Sequence, residues 1–402
     1  MKITKIETIR VRAQPQIIWV QVHTDEGIVG LGETWYAPTV VESALHDWFG
    51  PLLIGRDPAA IERHWEAMFR LSDHAGYGGA EMRAISALDM ALWDIKGQAA
   101  GLPIYELLGG AVRSKIRVYA TGFPLEGAGE LAKQHLDKGI TAMKGGPTIA
   151  LAQASDGQML SPKELDMSLK PIREIRDAVG MEMQIANDGH GKWTLPVAIR
   201  IAQAMEPYDM MWQEDLMPLL NPDALARLQA ATKTPVCISE RLLTRWQLRQ
   251  FIENGSARIV MPDLIWTGGI SETHKIAILA SSHQVPFAPH DATGPVNIFA
   301  CAQICMSSPN AMMQEHVRPF FEGWYNDFVD PNLPIVDGFL HAPQNPGIGT
   351  RLKADVRDRS DATVRVSDEP GTSVVDHYGP YGARTAETQK VVDEMEIERG
   401  PR

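Results

Sequence analysis

Three acidic residues recur at an even interval, and each closes a short apolar run. Asp188 ends QIAND, Glu214 ends DMMWQE and Glu240 ends PVCISE. Glu214 lies 26 residues after Asp188, and Glu240 lies 26 residues after Glu214. A helical pattern follows each run, so the interval is typical of stacked strand–helix units. Because a closed barrel of such units brings its strand ends to one face, we expect the three acids to meet there.

The oxygen donors of this set indicate a metal. One aspartate and two glutamates suit Mg²⁺, which prefers near-octahedral oxygen coordination, whereas zinc would favour histidine or cysteine. His190 follows Asp188 by two positions. Since residues i and i+2 of a strand face the same side, His190 is expected to project beside the metal ligands if the strand continues that far.

The series continues downstream with three more groups that can perform chemistry. Asp263 closes RIVMPD, His290 closes VPFAPH and Glu315 closes AMMQE. Each again stands at the end of an apolar run, which predicts that all three join the same face of the barrel.

These intervals resemble the mandelate racemase subgroup of the enolase superfamily. The run from Ala84 to Gly110, AISALDMALWDIKGQAAGLPIYELLGG, looks like the capping-domain signature of that superfamily. The resemblance covers roughly residues 1–350. It implies a modified TIM barrel, (β/α)7β, preceded by an N-terminal α+β capping domain, and a homo-oligomer that acts on a small carboxylate substrate with Mg²⁺.

The N-terminal runs agree with such a domain. Three β-rich stretches, at 3–12, 17–23 and up to Glu33, are separated by short turns and favour an antiparallel meander. Helical patterns follow at 40–53, 59–71 and 81–98. We place the capping domain at residues 1–114, the barrel at 115–353 and a charged C-terminal extension at 354–402. This extension is expected to pack on the capping domain or on a neighbouring subunit.

The second barrel strand is expected to end at Lys144, where the family has a Lys-x-Lys motif. Gly146 stands in place of the second lysine, which is the proton-abstracting base of the racemases. The resemblance leaves Lys144 the role of offsetting negative charge on the substrate. The segment from Gly145 to Lys163 has no long helical stripe, so we expect a loop that serves as a lid or an oligomer contact.

Asp188-Gly189-His190 is similar to the Asp-x-His pattern of acid-sugar dehydratases such as galactonate dehydratase. The likeness implies that His190 removes the C2 proton, since histidine changes charge near neutral pH. Asp263 is expected to hold one imidazole nitrogen of His290, which would donate a proton to the departing C3 hydroxyl. Glu315 is expected to hydrogen-bond a substrate carboxylate oxygen if its carboxyl group is protonated. Otherwise it is expected to influence the metal-bound enediolate indirectly, through the groups around it.

Two loops of the first domain, 32–38 and 73–81, look exposed. In the family that this sequence resembles, such loops close over the barrel mouth and contact the distal part of the substrate. Trp35, Tyr36, His74 and Tyr77 are therefore candidates for substrate specificity.

The predicted function is Mg²⁺-dependent dehydration of a sugar acid (aldonate) to a 2-keto-3-deoxy sugar acid. A 2-epimerase or racemase is the alternative, with His190 and His290 exchanging a proton on opposite faces of C2. A non-catalytic regulator that binds a sugar acid is a more remote alternative, because such a protein is expected to lack a ligand or a base, and none is missing here.

The net charge and the composition argue against some classes of binding partner and indicate a cellular compartment. A net charge of −12 argues against a nucleic-acid or anionic-membrane partner. No 18-residue apolar run and no signal peptide are recognisable. The three cysteines lie in apolar segments, which is typical of reduced core residues. We therefore expect a cytoplasmic enzyme with a small acid-sugar substrate.

Overall fold

The computed structural model describes residues 1–370, and its first 110 residues build a sheet covered by helices. The predicted meander is present: β1 (Ile3–Val11), β2 (Ile17–Thr24) and β3 (Val29–Trp35) pair antiparallel. The helical elements are α1 (Pro38–Ser43), a π-helical turn (Ala44–Phe49), α2 (Gly50–Leu53), α3 (Ile61–Leu71), a 3₁₀ turn (Asp73–Ala75), α4 (Ala80–Ala100) and α5 (Ile104–Leu107).

Helix α4 is the central element of this domain, and its backbone rests directly on β3. A Cβ atom placed on Gly32 would lie 1.9 Å from the carbonyl oxygen of Ala87, and one on Gly30 would lie 2.1 Å from that of Ala91. Only glycine permits so close an approach of strand and helix. The two glycines therefore fix how β3 presents the residues that follow them.

Residues 115–316 form alternating strands and helices. In chain order the elements are β4 (Lys115–Thr121), α6 (Ala128–Leu136), β5 (Ala142–Gly145), α7 (Ile149–Ala154), α8 (Pro162–Val179), a 3₁₀ turn (Gly180–Glu182), β6 (Gln184–Asp188), α9 (Leu195–Met205), a 3₁₀ turn (Glu206–Tyr208), β7 (Trp212–Glu214), α10 (Pro222–Ala230), β8 (Val236–Ile238), α11 (Thr244–Glu253), β9 (Ile259–Val260), α12 (Leu264–Thr267), α13 (Gly269–Ser282), α14 (Asn297–Ser307) and β10 (Gln314–His316).

The strands close into a ring. β4 to β9 pair in parallel in chain order, and β10 returns to pair with β4. Between β9 and β10 the seventh segment makes only single bridges, Phe287 to Val260 and Ala311, and His290 to Asp263. The predicted (β/α)7β barrel behind an α+β domain is confirmed, and it places the carboxyl ends of all strands on one face.

Alternate residues of the strands fill the barrel interior. Tyr119, Trp212, Met261 and Met313 belong to one small buried cluster, separate from the larger cluster between the strands and the outer helices. This division follows from the period of two along a strand, which sends neighbouring side chains to opposite faces. The interior is therefore a packed core that supports the strand ends.

The predicted loop at 145–163 contains helical structure, so that prediction was wrong in this respect. Helix α7 lies within it, and α8 starts at its end with a capping box. The Ser161 hydroxyl accepts from Glu164 N at 3.2 Å, and Glu164 Oε2 accepts from Ser161 N at 2.7 Å. The Ser-Pro-Lys-Glu sequence was the overlooked signal for a helix start. Six-residue α7 is too short to give a readable periodicity.

The chain after β10 returns to the first domain. It contains α15 (Arg318–Phe321), α16 (Tyr325–Phe328), β11 (Val329–Asp330), β12 (Ile335–Val336), β13 (Phe339–His341), β14 (Arg351–Leu352), a 3₁₀ turn (Ala354–Val356) and β15 (Ala362–Ser367). β15 pairs antiparallel with β1 and becomes the edge of the first sheet. The rest of the predicted extension, 371–402, lies outside the described residues, and the division at residues 114 and 353 stays a prediction.

Buried polar contacts hold the first domain on the barrel. The Glu33 carboxyl group accepts from the backbone N of Val296 and Asn297, and also from Trp19 Nε1 at 2.8 Å. The Thr34 hydroxyl donates to the carbonyl of Ile265 at 2.7 Å. β3 is thereby joined to the segments that follow the sixth and seventh barrel strands. In the described part of the chain, no helix is both long and apolar enough to cross a membrane.

Candidate active site

The three evenly spaced acids stand at the ends of three consecutive strands. Asp188 and Glu214 are register partners at the ends of β6 and β7, and Glu240 follows β8 by two residues. All three side chains are buried. The structure thus brings the predicted metal ligands to the same face, as the 26-residue interval indicates.

Lys144, the predicted charge-offsetting residue, lies inside this group of acids. Its Nζ atom is 2.9 Å from Glu214 Oε1 and 2.9 Å from Glu315 Oε1. Burial favours the neutral amine, but the carboxylates of Glu214 and Glu315 outweigh it and raise the pKa of Lys144 well above its usual value. A fixed positive charge therefore lies at the end of β5.

The side chain of Glu214 is surrounded by more acidic than basic groups. Burial raises the pKa of Glu214 well above its usual value; Lys144 opposes this rise, while the charges of Asp188 and Glu315 add to it. Its second oxygen accepts from Trp212 Nε1 at 3.0 Å. One lysine does not balance the carboxylates gathered here.

His190 lies in a turn, because β6 ends at Asp188. The assumption that the strand continues to His190 was wrong: this residue has a positive φ of 52°. The turn still brings it to the predicted neighbour, since its backbone N donates to Asp188 Oδ1 at 2.8 Å and its Nε2 lies 2.7 Å from Asp188 Oδ2. The side chain is 45% exposed, so a substrate can reach it.

The 145–163 segment supports the loop that carries His190. Trp193 Nε1 donates to the Thr148 hydroxyl at 3.1 Å, and Thr194 N donates to the carbonyl of Gly157 at 3.1 Å. A Cβ on Gly157 would lie 1.9 Å from the carbonyl oxygen of Lys192. The segment is packed against this loop, and its expected role as a lid or oligomer contact stays a prediction.

His290 and Asp263 form the expected pair. His290 Nδ1 lies 2.7 Å from Asp263 Oδ2. Asp263 Oδ1 accepts from Ile265 N at 3.0 Å and from Asn297 Nδ2 at 3.3 Å, so the carboxylate is fixed by three partners. This is the arrangement that orients an imidazole for proton transfer.

The other nitrogen of His290 faces two acids. Nε2 lies 4.0 Å from Glu240 Oε2 and 3.9 Å from Glu315 Oε2. Burial favours the neutral ring, but the charges of Glu240, Glu315 and Asp263 prevail and raise the pKa of His290 well above its usual value. His290 therefore holds a proton at neutral pH.

Glu315 is ionised in this setting. Burial favours its protonated form, yet the positive charges of Lys144 and His290 outweigh burial and lower its pKa. Its Oε2 atom also accepts from Asp291 N at 3.1 Å. This argues against the protonated Glu315 considered from the sequence and favours an indirect effect through its surroundings.

The four specificity candidates divide into two pairs. Tyr36 is 48% exposed and its ring lies 5.6 Å from that of Trp266, while Trp35 packs 6.2 Å from Trp324. Tyr77 stacks on Phe69, which in turn stacks on Trp246, six residues after Glu240. His74 is 69% exposed and lies 3.6 Å from the carboxylate of neighbouring Asp73. The role of all four residues in substrate specificity stays a prediction.

Two residues near His290 were missed by the sequence reasoning. The Trp266 ring lies 5.6 Å from the His290 ring, and the guanidinium carbon of Arg83 lies 4.2 Å from the Trp266 ring. The position of Trp266 three residues after Asp263 was a usable signal, since a helical turn follows that strand. For Arg83 the sequence offered no such signal, because an arginine in a long helical pattern is normally solvated.

The donor set fits a divalent cation in its chemistry. In residues 1–370, no group of three or more His, Cys, Asp or Glu side chains is gathered about a common point, because Asp188 turns to His190 and Glu214 to Lys144. The carboxylates nevertheless stand at the ends of adjacent strands. Hard oxygen donors in that number suit Mg²⁺ once the side chains turn toward it.

Comparisons with known proteins define the class. Residues 4–109 match the family model "Mandelate racemase / muconate lactonizing enzyme, N-terminal domain", and residues 127–356 match "Enolase C-terminal domain-like". The fold is thus that of the enolase superfamily. Within it, the chain belongs to the mandelate racemase / muconate lactonizing enzyme family.

Several relatives are similar over nearly the whole chain. The D-galactonate dehydratase of Variovorax paradoxus is 35% identical over 361 residues, which are 88% of this chain and 92% of that one. The D-galactonate dehydratase of Xanthomonas oryzae is 33% identical over 369 residues, 90% of this chain and 94% of that one. The crystal structure of an enolase of the mandelate racemase subgroup from Agrobacterium tumefaciens is 41% identical, with a TM-score of 0.88, and covers 92% of this chain and 99% of that one.

Proposed function

We propose that this protein is an acid-sugar dehydratase, a hydro-lyase that converts an aldonate to a 2-keto-3-deoxy sugar acid. The observation that carries the proposal is the placement of two different histidines. His190 follows the third of eight barrel strands and His290 lies on the seventh, so they face the barrel axis from opposite sides. One is open to substrate and the other is buried and protonated. The similarity to D-galactonate dehydratases supports the same reaction.

The first step is removal of the C2 proton. His190 accepts it at Nε2, the atom that lies 2.7 Å from Asp188, so its ring has to turn from that carboxylate toward the substrate. The electrons of the C2–H bond pass into the substrate carboxylate, which becomes a doubly charged enediolate. Lys144 offers a fixed cation for this charge. Mg²⁺ held by Asp188, Glu214 and Glu240 would supply further positive charge at the same oxygens.

The second step is loss of the C3 hydroxyl. The electron pair of the enediolate forms the C2–C3 double bond while the C3–O bond breaks. His290 donates its Nε2 proton to the leaving oxygen, which departs as water, and Asp263 stabilises the ring throughout. The enol that remains takes a proton at C3 and becomes the 2-keto acid.

The test is a library of sugar acids with Mg²⁺, assayed for the keto acid with semicarbazide. The wild type is compared with His190→Asn and with His283→Asn, an exposed histidine of the barrel surface, as matched control. We expect keto acid from at least one sugar acid, little or none with His190→Asn, and the wild-type rate with the control. Deuterium exchange at C2 without keto acid would support 2-epimerisation instead. Neither activity with any sugar acid would contradict both.

Homo-oligomerisation and a cytoplasmic location remain proposals of the same account. They rest on the family resemblance and on the composition of the chain.

A further inference from the structure

Arg83 is a cation from the first domain that lies beside the catalytic face of the barrel. It stands in the first turns of α4, and its side chain is partly buried. Nη1 donates to the carbonyl of Trp35 at 2.9 Å. Its guanidinium carbon lies over the rings of Tyr36 and Trp266, and the charges of Asp263 and Glu240 also act on it.

The indole ring of Trp266 contacts both Arg83 and the ring of His290. The guanidinium carbon is 4.2 Å from the centre of the Trp266 ring, and this ring is 5.6 Å from that of His290. Tyr36 packs against Trp266 from the loop over the barrel mouth, at 5.6 Å. A contact of guanidinium and indole that is partly shielded from water is stabilising and favours one ring orientation.

Trp266 is a buried member of the hydrophobic core and is held by packing. Its Nε1 atom is buried and has no hydrogen-bond partner among the described residues. An indole N–H usually finds an acceptor when buried. The orientation of this ring therefore depends on packing, to which Arg83, Tyr36 and His290 contribute.

We propose that Arg83 is a positioning residue that holds Trp266 against His290 and so sets the geometry of proton donation to the C3 hydroxyl. The proposal rests on the function proposed above, because it assigns Arg83 to the second step only. His190, which performs the first step, lies across the barrel and does not contact Trp266. Loss of Arg83 is thus expected to slow water loss and to spare C2 proton removal.

The experiment measures both steps on one sugar acid that the wild type converts. In D₂O, deuterium at C2 of recovered substrate reports proton removal and return, and semicarbazide-reactive product reports water loss. We expect Arg83→Met to lower kcat for water loss by about tenfold to a hundredfold, as a displaced catalytic group does. C2 exchange in this variant should be equal to or higher than in the wild type, and KM should change by less than about twofold. Arg83→Lys should restore part of kcat, since it returns a cation to the ring.

Lys275→Met is the matched control. Lys275 Nζ lies 5.4 Å from the Trp65 ring, a cation–ring contact that also joins the two domains but touches no site residue. Water loss should stay at the wild-type level in this control. Trp266→Phe serves as a second variant should Arg83→Met fail to fold, and it should shift the ratio of exchange to water loss in the same direction.

Two results would overturn the proposal. A parallel fall of exchange and water loss would assign Arg83 to the fold, and a raised KM at unchanged kcat would assign it to substrate binding. Absence of both reactions in the wild type would instead contradict the proposed function, and the inference would fall with it.

Discussion

At the scale of single residues, the site is a balance of buried charge. Lys144 and the protonated His290 lie among the carboxylates of Asp188, Glu214, Glu240, Asp263 and Glu315. Each positive group owes its charge to acids within about 4 Å, since burial alone would neutralise it. In the reaction proposed above, the doubly charged intermediate would form beside cations that are already in place.

Asp263→Asn tests the acid that holds His290. The amide removes one negative charge and can present an N–H group to Nδ1, which favours the wrong tautomer of the ring. We expect kcat for water loss to fall by about a hundredfold or more. The measurement is the semicarbazide rate on the converted sugar acid, with a melting curve to verify folding. An unchanged kcat in a folded variant would show that the pair does not act in proton donation.

Glu33 provides a pH-dependent prediction. Burial raises the pKa of Glu33 to about 8, against the hydrogen bonds from Asn297, Val296 and Trp19 that lower it. The folded state thus keeps this acid neutral between its ordinary value of 4.5 and about 8, while the unfolded chain ionises it. Stability must fall as pH rises through this window, because the unfolded state binds fewer protons there.

The measurement is the free energy of unfolding at pH 5, 6.5 and 8 for the wild type and Glu33→Gln. Other buried acids contribute to the slope of both proteins, so the difference between them isolates Glu33. We expect the wild type to lose more stability than the variant as pH rises. Parallel curves would mean that Glu33 is ionised in the folded state.

Among the secondary-structure elements, the contact of α4 with β3 leaves very little space for any side chain larger than that of glycine. Gly32→Ala would place a methyl carbon 1.9 Å from the backbone oxygen of Ala87, and backbone on both sides has to move. We expect a loss of about 1–3 kcal/mol in the free energy of unfolding, typical of overpacking. Gly78→Ala is the control, since its nearest atom would be a Leu243 methyl at 3.5 Å. Equal stability of the two variants in urea would contradict this packing.

The sequence predicted the strand ends better than the segments between them. Equal intervals locate Asp188, Glu214 and Glu240, because each strand–helix unit needs a similar length of chain. The turn at His190 was not foreseen, since a positive φ in a non-glycine residue depends on its surroundings. Arg83 could not be assigned either: its neighbour Trp266 is 183 positions away, and no local pattern records a contact between domains.

In the molecule as a whole, the segment that follows the barrel returns to the first domain and pairs with its sheet. β15 returns from the barrel to the edge of the first sheet, and Arg357 pairs with Glu7 of β1 at 3.2 Å. His46 Nδ1 lies 2.8 Å from the Ser367 hydroxyl, which joins the same edge to the π-helical turn. The first domain is thus completed by residues more than 320 positions downstream.

Two truncations test this closure. A chain ending at residue 360 lacks β15, whereas one ending at residue 370 keeps it, so their difference isolates the strand. We expect the shorter chain to lose at least about 2 kcal/mol in the free energy of unfolding, because six paired residues leave the edge of β1 open. Identical unfolding curves would show that β15 contributes nothing to the first domain.

We propose that His190 and His290 together remove water from a sugar acid, and labelling with deuterium tests this proposal. The converted sugar acid is incubated in D₂O with Mg²⁺, and substrate and product are analysed by mass spectrometry. We expect a product that has lost one water and gained one deuteron on carbon, at C3, as the enol becomes a ketone. A product of the substrate's own composition, with deuterium at C2 and an inverted centre there, would contradict dehydration and identify a 2-epimerase.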